Sequence, residues 1–338
     1  MRAILLDKPA PIESQPLRLA EVETPKPGTG EILVKVAACG VCRSNLHMIE
    51  GDWVAMGVPA KSPIIPGHEI AGRVAAVGAG VTQWKPGDRV GVQPLWWSCG
   101  HCEYCLTGRE QLCLRKQITG ETVDGGYAEY VVAMAEHAYP VPDVLDDAEA
   151  APLFCPGITA YHAIKKAHLA PEKSVAIFGI GGVGHMALQF AKLYSGEVIA
   201  VDRNQRHLRL AAEDLGVERT LDLASGDAGA TLRAGGGVDA AIVFAPSSAV
   251  LRQAARAVKP GGILVYGVHA EVGEVPFTEE KALVGSLLGN RQEMLEVLQL
   301  AAAGKIKAIC ESFPLEKAGE ALRLLKQGQI PARAVLVL

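Results

Sequence analysis

Cys99, Cys102, Cys105 and Cys113 are separated by two, two and seven residues. Close CxxC pairs let one tight turn present several thiolates to a single ion, and four thiolates make the closed tetrahedron of a structural Zn²⁺. Two disulfides in a secreted chain would use the same residues, but nothing else in the sequence points to secretion. Cys42, His68 and Cys155 offer a second set, Cys₂His, of the kind that leaves a metal one open position for chemistry. Spacing alone leaves each of these three equally readable as a core residue, as an isolated cysteine most often is. A third constellation binds rather than reacts. The apolar run 175–178 enters Gly179-Ile180-Gly181-Gly182-Val183-Gly184, a helical pattern follows, and the next apolar run ends at Asp202. There the first glycine permits a tight turn, the second lets the backbone approach a pyrophosphate, and the third lets helix and strand pack closely. The helix N-terminus adds partial positive charge for the phosphates. An acidic residue at Asp202 accepts both hydroxyls of an adenosine ribose and repels a 2′-phosphate, which favours NAD over NADP, although Arg203 beside it could accommodate that phosphate.

These residues need a scaffold, and 338 residues suffice for about two domains. Up to residue 150 the chain is strand-like and heavily punctuated: apolar alternation over 31–37, 72–78, 88–92 and 127–132 is broken by Gly and Pro turns, which favours a compact, partly open barrel. From Ser174 continuous apolar strands at 175–178, 198–201, 240–244 and 263–266 alternate with helical patterns or glycine turns, the signature of a doubly wound parallel sheet. Helical patterns at 292–303 and 315–326 then lead to a last strand at 334–338. Residues 174–191 carry no Asp, Glu, Lys or Arg, but their glycines rule out a membrane-spanning helix. The net charge of −4 gives no electrostatic reason for a nucleic-acid or anionic-membrane partner, and the knot lacks the basic surround and stacking aromatics of a nucleic-acid module. The N-terminus, interrupted at Asp7, is no signal sequence, so a cytoplasmic location is expected.

In chain order, the strings CGVCRSNLH, PGHEIAG, GDRV, the cysteine knot, DGGYAEY, FCPGITAYHA, GIGGVGHMALQFAK and GQIPARAVLVL resemble zinc-dependent alcohol dehydrogenases of the medium-chain dehydrogenase/reductase family, in particular the short bacterial and yeast type, over essentially the whole length. The resemblance implies an α/β fold in which a GroES-like, β-rich catalytic domain (1–153) holds an inserted Rossmann domain (154–290), with 291–338 returning to the catalytic domain. It implies NAD-linked interconversion of an alcohol and its aldehyde or ketone; a polyol or secondary-alcohol dehydrogenase of the same fold is the alternative. It makes Cys42, rather than Cys39, the catalytic zinc ligand with His68 and Cys155, and puts Glu69 beside the metal as an occasional ligand. Ser44 and His47 match a proton relay through the nicotinamide ribose. Arg43 and Arg333 match a grip on the pyrophosphate; Thr159, packed on the nicotinamide, and Val268 join Gly179, Gly181, Gly182, Val183, Gly184, Asp202 and Arg203 in binding the cofactor. Trp53, Pro94 and Trp96 fall to the substrate pocket, and a homotetramer with one catalytic and one structural zinc per chain is implied.

Two positions depart from the pattern. Asn45 stands where relatives carry an aspartate that orients the zinc-bound histidine; its amide can still accept the imidazole N–H, but without the charge His68 becomes a poorer donor and the zinc a harder Lewis acid. Pro94 stands where some relatives have a pocket tryptophan, so the pocket is either wider or filled by Trp96.

Overall fold

The computed structural model describes residues 1–338, which divide into two compact units, Met1–Cys155 with Asn290–Leu338, and Pro156–Gly289. The switch lies after Cys155 rather than after residue 153 because Phe154 is fully buried in the first unit, against Gly91, where a Cβ would come within 1.8 Å of its ring. The return comes at Asn290, one residue earlier than the sequence suggested. Asn290 caps the helix Arg291–Ala302 through a reciprocal box with Glu293, and its side chain donates to the Gly108 carbonyl at 2.9 Å.

The first unit is organised by the long strand Glu31–Val41. Ile32, Leu33, Val34 and Val36 are buried with Lys35 exposed among them, and burial becomes continuous from Ala38 to Val41, where the chemistry-bearing residues begin. It pairs antiparallel with Arg333–Val337, Glu69–Val77 and Tyr130–Met134 in a seven-stranded sheet that also holds Cys310–Pro314, Arg89–Val92 and Ala138–Pro140. The register sets Gly40 opposite Glu69 and Val41 opposite Ala334. The C-terminal strand thus lies next to the segment that carries Cys42.

In the second unit all six strands are parallel, in the order Arg219–Asp222, Glu197–Asp202, Ser174–Phe178, Val238–Val243, Val258–Tyr266 and Ala282–Gly285. Numbered along the chain this is 3-2-1-4-5-6, the Rossmann order, in which ligands bind where the strand order reverses. Val175–Phe178 and Ala240–Val243 within the two central strands are buried on both faces, as their apolar runs require. No helix is long and apolar enough to cross a membrane.

Candidate active site

Cys42 lies just before the helix Arg43–Glu50, His68 and Glu69 at the start of the strand Glu69–Val77, and Cys155 at the end of the short helix Ala151–Phe154. Their ligand atoms lie within 4.8 Å of one another. The two thiols are 3.8 Å apart. With Zn–S bonds of about 2.3 Å, tetrahedral geometry places sulfurs about 3.8 Å apart, so the pair fits one zinc without rearrangement. The hydrogen bond between the two thiols holds Cys42 well below its ordinary range and, with burial, Cys155 well above it. His68 aims Nε2 at this cluster, 3.3 Å from the Ser44 hydroxyl, which also lies 3.1 Å from Cys42 Sγ. Burial pulls the His68 imidazole down, but the Cys42 thiolate with Glu121 and Glu69 outweighs it and sets it at about 9.

Glu69 is fully buried and reaches the cluster because residue 40 is glycine: a Cβ there would meet its carboxylate at 1.9 Å. Burial first, and then the Cys42 charge, push Glu69 up to about 7 against the pull of Arg333. Arg333, expected on a pyrophosphate, is itself buried, and one of its nitrogens donates to both Glu69 oxygens at 2.5 and 2.6 Å and to the Val41 carbonyl at 3.0 Å. Arg43 is exposed at the start of its helix. Ser44 and His47 follow on that helix three residues apart, on one face. The half-buried His47 ring shares a 2.6 Å hydrogen bond with Asp52 and packs at 5.6 Å from the Trp53 ring. Cys39, by contrast, lies in the apolar core.

Trp96, expected in the substrate pocket, is not brought to this cluster. Its indole N–H donates to the Val132 carbonyl at 3.0 Å, and the ring lines a separate cavity of about 330 Å³ with Met1, Leu5 and Tyr130. Pro94 is buried, with its carbonyl accepting the Thr119 N–H. Asn45 faces His68 with its amide nitrogen, at 3.3 Å from Nδ1, and its oxygen accepts the Tyr127 hydroxyl at 3.4 Å. The sequence reading had the oxygen facing the ring. Glu121, which sequence reasoning passed over, brings a carboxylate oxygen to 3.9 Å from the same Nδ1.

The knot closes as four sulfurs around one point: Cys99 and Cys105 are 3.9 Å apart, Cys102 and Cys105 3.5 Å, and the Cys99 N–H points at Cys113 Sγ at 3.5 Å. No open face is left for substrate. Arg115 beside Cys99 holds that thiol down at about 5, so a thiolate stands ready for a cation, whereas burial pushes Cys105 up to about 11.

In the second unit the glycine turn divides its roles sterically. Gly179 has φ +93°, and a Cβ at Gly184 would lie 1.9 Å from the Gly179 carbonyl, so neither tolerates a side chain. A Cβ at Gly181 would meet nothing within 4 Å, which is the open space a pyrophosphate needs. The helix Gly184–Tyr194 starts at the turn after Gly182 and Val183. Asp202 accepts the Ile180 N–H at 2.6 Å, the Asn204 N–H at 2.8 Å and His207 at 3.1 Å. Despite its burial, these bonds hold its carboxyl below the usual range. His207 is a partner that sequence reasoning missed. Arg203 is exposed next to Asp202, Thr159 is half-buried on the helix Pro156–Lys166, and Val268 packs on the core just past the strand Val258–Tyr266.

Comparison with known proteins finds family models in both halves of the chain. Residues 28–143 match the model of the alcohol dehydrogenase GroES-like domain and residues 182–303 that of the zinc-binding dehydrogenases. An alcohol dehydrogenase of Geobacillus stearothermophilus is 44% identical over 328 residues, 95% of this chain and 96% of the relative. The crystal structure of the alcohol dehydrogenase from the archaeon Aeropyrum pernix superposes with a TM-score of 0.91 at 32% identity over 100% of both chains. That of an NAD-dependent alcohol dehydrogenase superposes with 0.90 at 29% identity, again over 100% of both.

Proposed function

Because the chain belongs to the zinc-binding, GroES-like alcohol dehydrogenase family, we propose that it interconverts a small alcohol and its aldehyde or ketone, with zinc at Cys42, His68 and Cys155 and NAD on the Gly179–Gly184 turn. The observation that carries this reading is the convergence of two cysteines at zinc-compatible separation, one imidazole and the Ser44 hydroxyl on a single point. When bound, zinc supplies Lewis-acid polarisation of the substrate oxygen and NAD an acceptor for hydride.

The chain's own residues do the rest. Ser44 Oγ, on the metal side of its helix, takes the proton released by the alcohol. His47, on the same face and half-exposed, carries it to solvent, and Asp52 on Nδ1 orients the ring for that exchange. We assign the pyrophosphate to the glycine turn and Arg43, and Arg333 to holding Glu69. Asp202, kept ionised by its three donors, takes the adenosine ribose, and Thr159 and Val268 pack the nicotinamide. Trp53, held against His47, walls the substrate.

A homotetramer is in keeping with the unpaired edge strand Ala282–Gly285 and the exposed Phe277, Leu283 and Leu287 around it. Light scattering at a monomer mass would refute it. None of the eight cysteines forms a disulfide, which suits the cytoplasm. The test of function is metal analysis with initial rates on primary, secondary and polyhydric alcohols with NAD and NADP. Two zinc ions per chain and NAD reduction are expected. Fully zinc-loaded protein that oxidises no alcohol would overturn the reading.

A further inference from the structure

A histidine that gives Nε2 to a metal carries its proton on Nδ1, and that N–H needs an acceptor to fix the ring and raise its basicity. Around His68 Nδ1 stand two side chains, the Asn45 amide at 3.3 Å and the Glu121 carboxylate at 3.9 Å. As placed, Asn45 presents N–H groups to the ring, which oppose the Nδ1 proton once Nε2 is committed. It can turn its oxygen inward only by giving its NH₂ to the Tyr127 oxygen. In either orientation it offers a dipole and no charge.

Glu121 offers the charge. Its side chain is only 13% exposed, and His68 is its one ion-pair partner. Its backbone is pinned on both sides: the Glu121 N–H donates to Ile118 at 3.2 Å, and its carbonyl accepts the Ala60 N–H at 3.0 Å. A carboxylate held this far from water with no other cation is costly unless the group it faces uses it. The other carboxylate near His68, Glu69, is already bound by Arg333.

We propose that Glu121 is a positioning residue for the catalytic metal centre: it orients His68 from behind and supplies the negative charge that Asn45 lacks. The carboxylate is relocated in sequence by 76 residues, from the helix after Cys42 to the turn after strand Gln117–Ile118. Its effect at 3.9 Å is electrostatic and acts through the imidazole on the metal's affinity and acidity. The proposal rests on the metal reading of this cluster.

The experiment compares the zinc-loaded parent with Glu121→Gln, Asn45→Asp and the double variant. Glu121→Gln is expected to weaken the catalytic zinc, measured by chelator competition, by about 10- to 100-fold while the knot keeps its zinc. It is also expected to move the pH profile of kcat to lower pH and to shift the visible spectrum of the cobalt-substituted enzyme. The double variant, which moves the charge to position 45, is expected to recover affinity and profile. Unchanged affinity and profile in Glu121→Gln, or no recovery in the double variant, would overturn the proposal. If no alcohol is oxidised by any form, the chelator and cobalt readouts still decide the role of Glu121 separately from the proposed activity.

Discussion

Replacing Arg333 by Met tests whether the site is held by its buried ion pair. Side-chain exposure is 3% for Arg333 and 0% for Glu69, so the variant strands a carboxylate with no solvent to take its charge. Removing one partner of such a pair costs about 3–5 kcal/mol, because the desolvation already spent on the remaining charge is no longer offset. In a unit of about 200 residues that corresponds to a fall of roughly 6–20 °C in the melting temperature of the first unit. The pH dependence has a definite sign. Burial already sets Glu69 at about 7 with Arg333 present, above the ordinary carboxylate value, and loss of the guanidinium raises it further. A carboxylate whose folded pKa is raised destabilises the fold as pH rises from its unfolded to its folded value, so the deficit of Arg333→Met should be small at pH 6, where Glu69 is protonated with or without Arg333, and grow as pH rises above about 7 through pH 8. Calorimetry of zinc-loaded protein at both pH values, with Glu69→Gln/Arg333→Met as the partner variant, reads this directly. The double variant should regain more than half the loss, since no charge is then stranded. A deficit under about 1 kcal/mol at pH 8, or a double variant no more stable than the single one, would refute the reasoning.

His137 makes a separate acid-sensitivity prediction. It is 4% exposed with its Nδ1 unpartnered and Nε2 on the Ser98 hydroxyl at 3.1 Å, and burial, with Arg291 nearby, pushes it down to about 4. The unfolded chain therefore binds a proton between about pH 6.5 and 4 that the folded chain refuses, and up to about 3 kcal/mol of stability present above that window is lost as pH falls through it. His137→Gln should flatten that acid limb, and superimposable limbs would count against it. Asp202→Gly should raise the NADP-to-NAD ratio of kcat/KM by about tenfold or more, with Arg203 open to the added phosphate. It should also lower stability by about 1–3 kcal/mol, because the Ile180 and Asn204 N–H groups lose their acceptor. Specificity constants for both cofactors check the first part, and an unchanged ratio means Asp202 does not face the ribose.

What could be read from the sequence is what local sterics demand. Cys99, Cys102 and Cys105 come to one point because CxxC spacing brings them there, whatever the rest of the chain does. The glycine turn is legible for the same reason: a positive φ at Gly179 and a 1.9 Å approach at Gly184 forbid any other residue, so the requirement is written into residue type. The parallel sheet shows itself through strands buried on both faces, which must be apolar at every position. Trp96 is the opposite case: nothing local sets the course of its indole, which bonds the Val132 carbonyl and lines the cavity with Met1, Leu5 and Tyr130.

The remainder depends on register across long stretches of chain. Arg333 meets Glu69 only because Ala334 pairs with Val41 while Gly40 pairs with Glu69, a coincidence of two antiparallel ladders that no spacing announces. Glu121 is of the same kind, a lone polar residue given a partner by a turn whose course is set by tertiary packing, whereas His207 reaches Asp202 locally, from the helix Gln205–Arg209 that follows it. Asn45 shows how the two levels connect. As a departure from a resemblance it was visible in the sequence, and taken alone it implied a metal centre with weakened support. The structure keeps the departure and alters its meaning, since a carboxylate from another segment lies 3.9 Å from the same nitrogen. An imidazole ligand requires an acceptor behind it but does not specify which segment supplies it, so losing a charge at one position is informative only once every group within a few ångströms of that nitrogen has been counted.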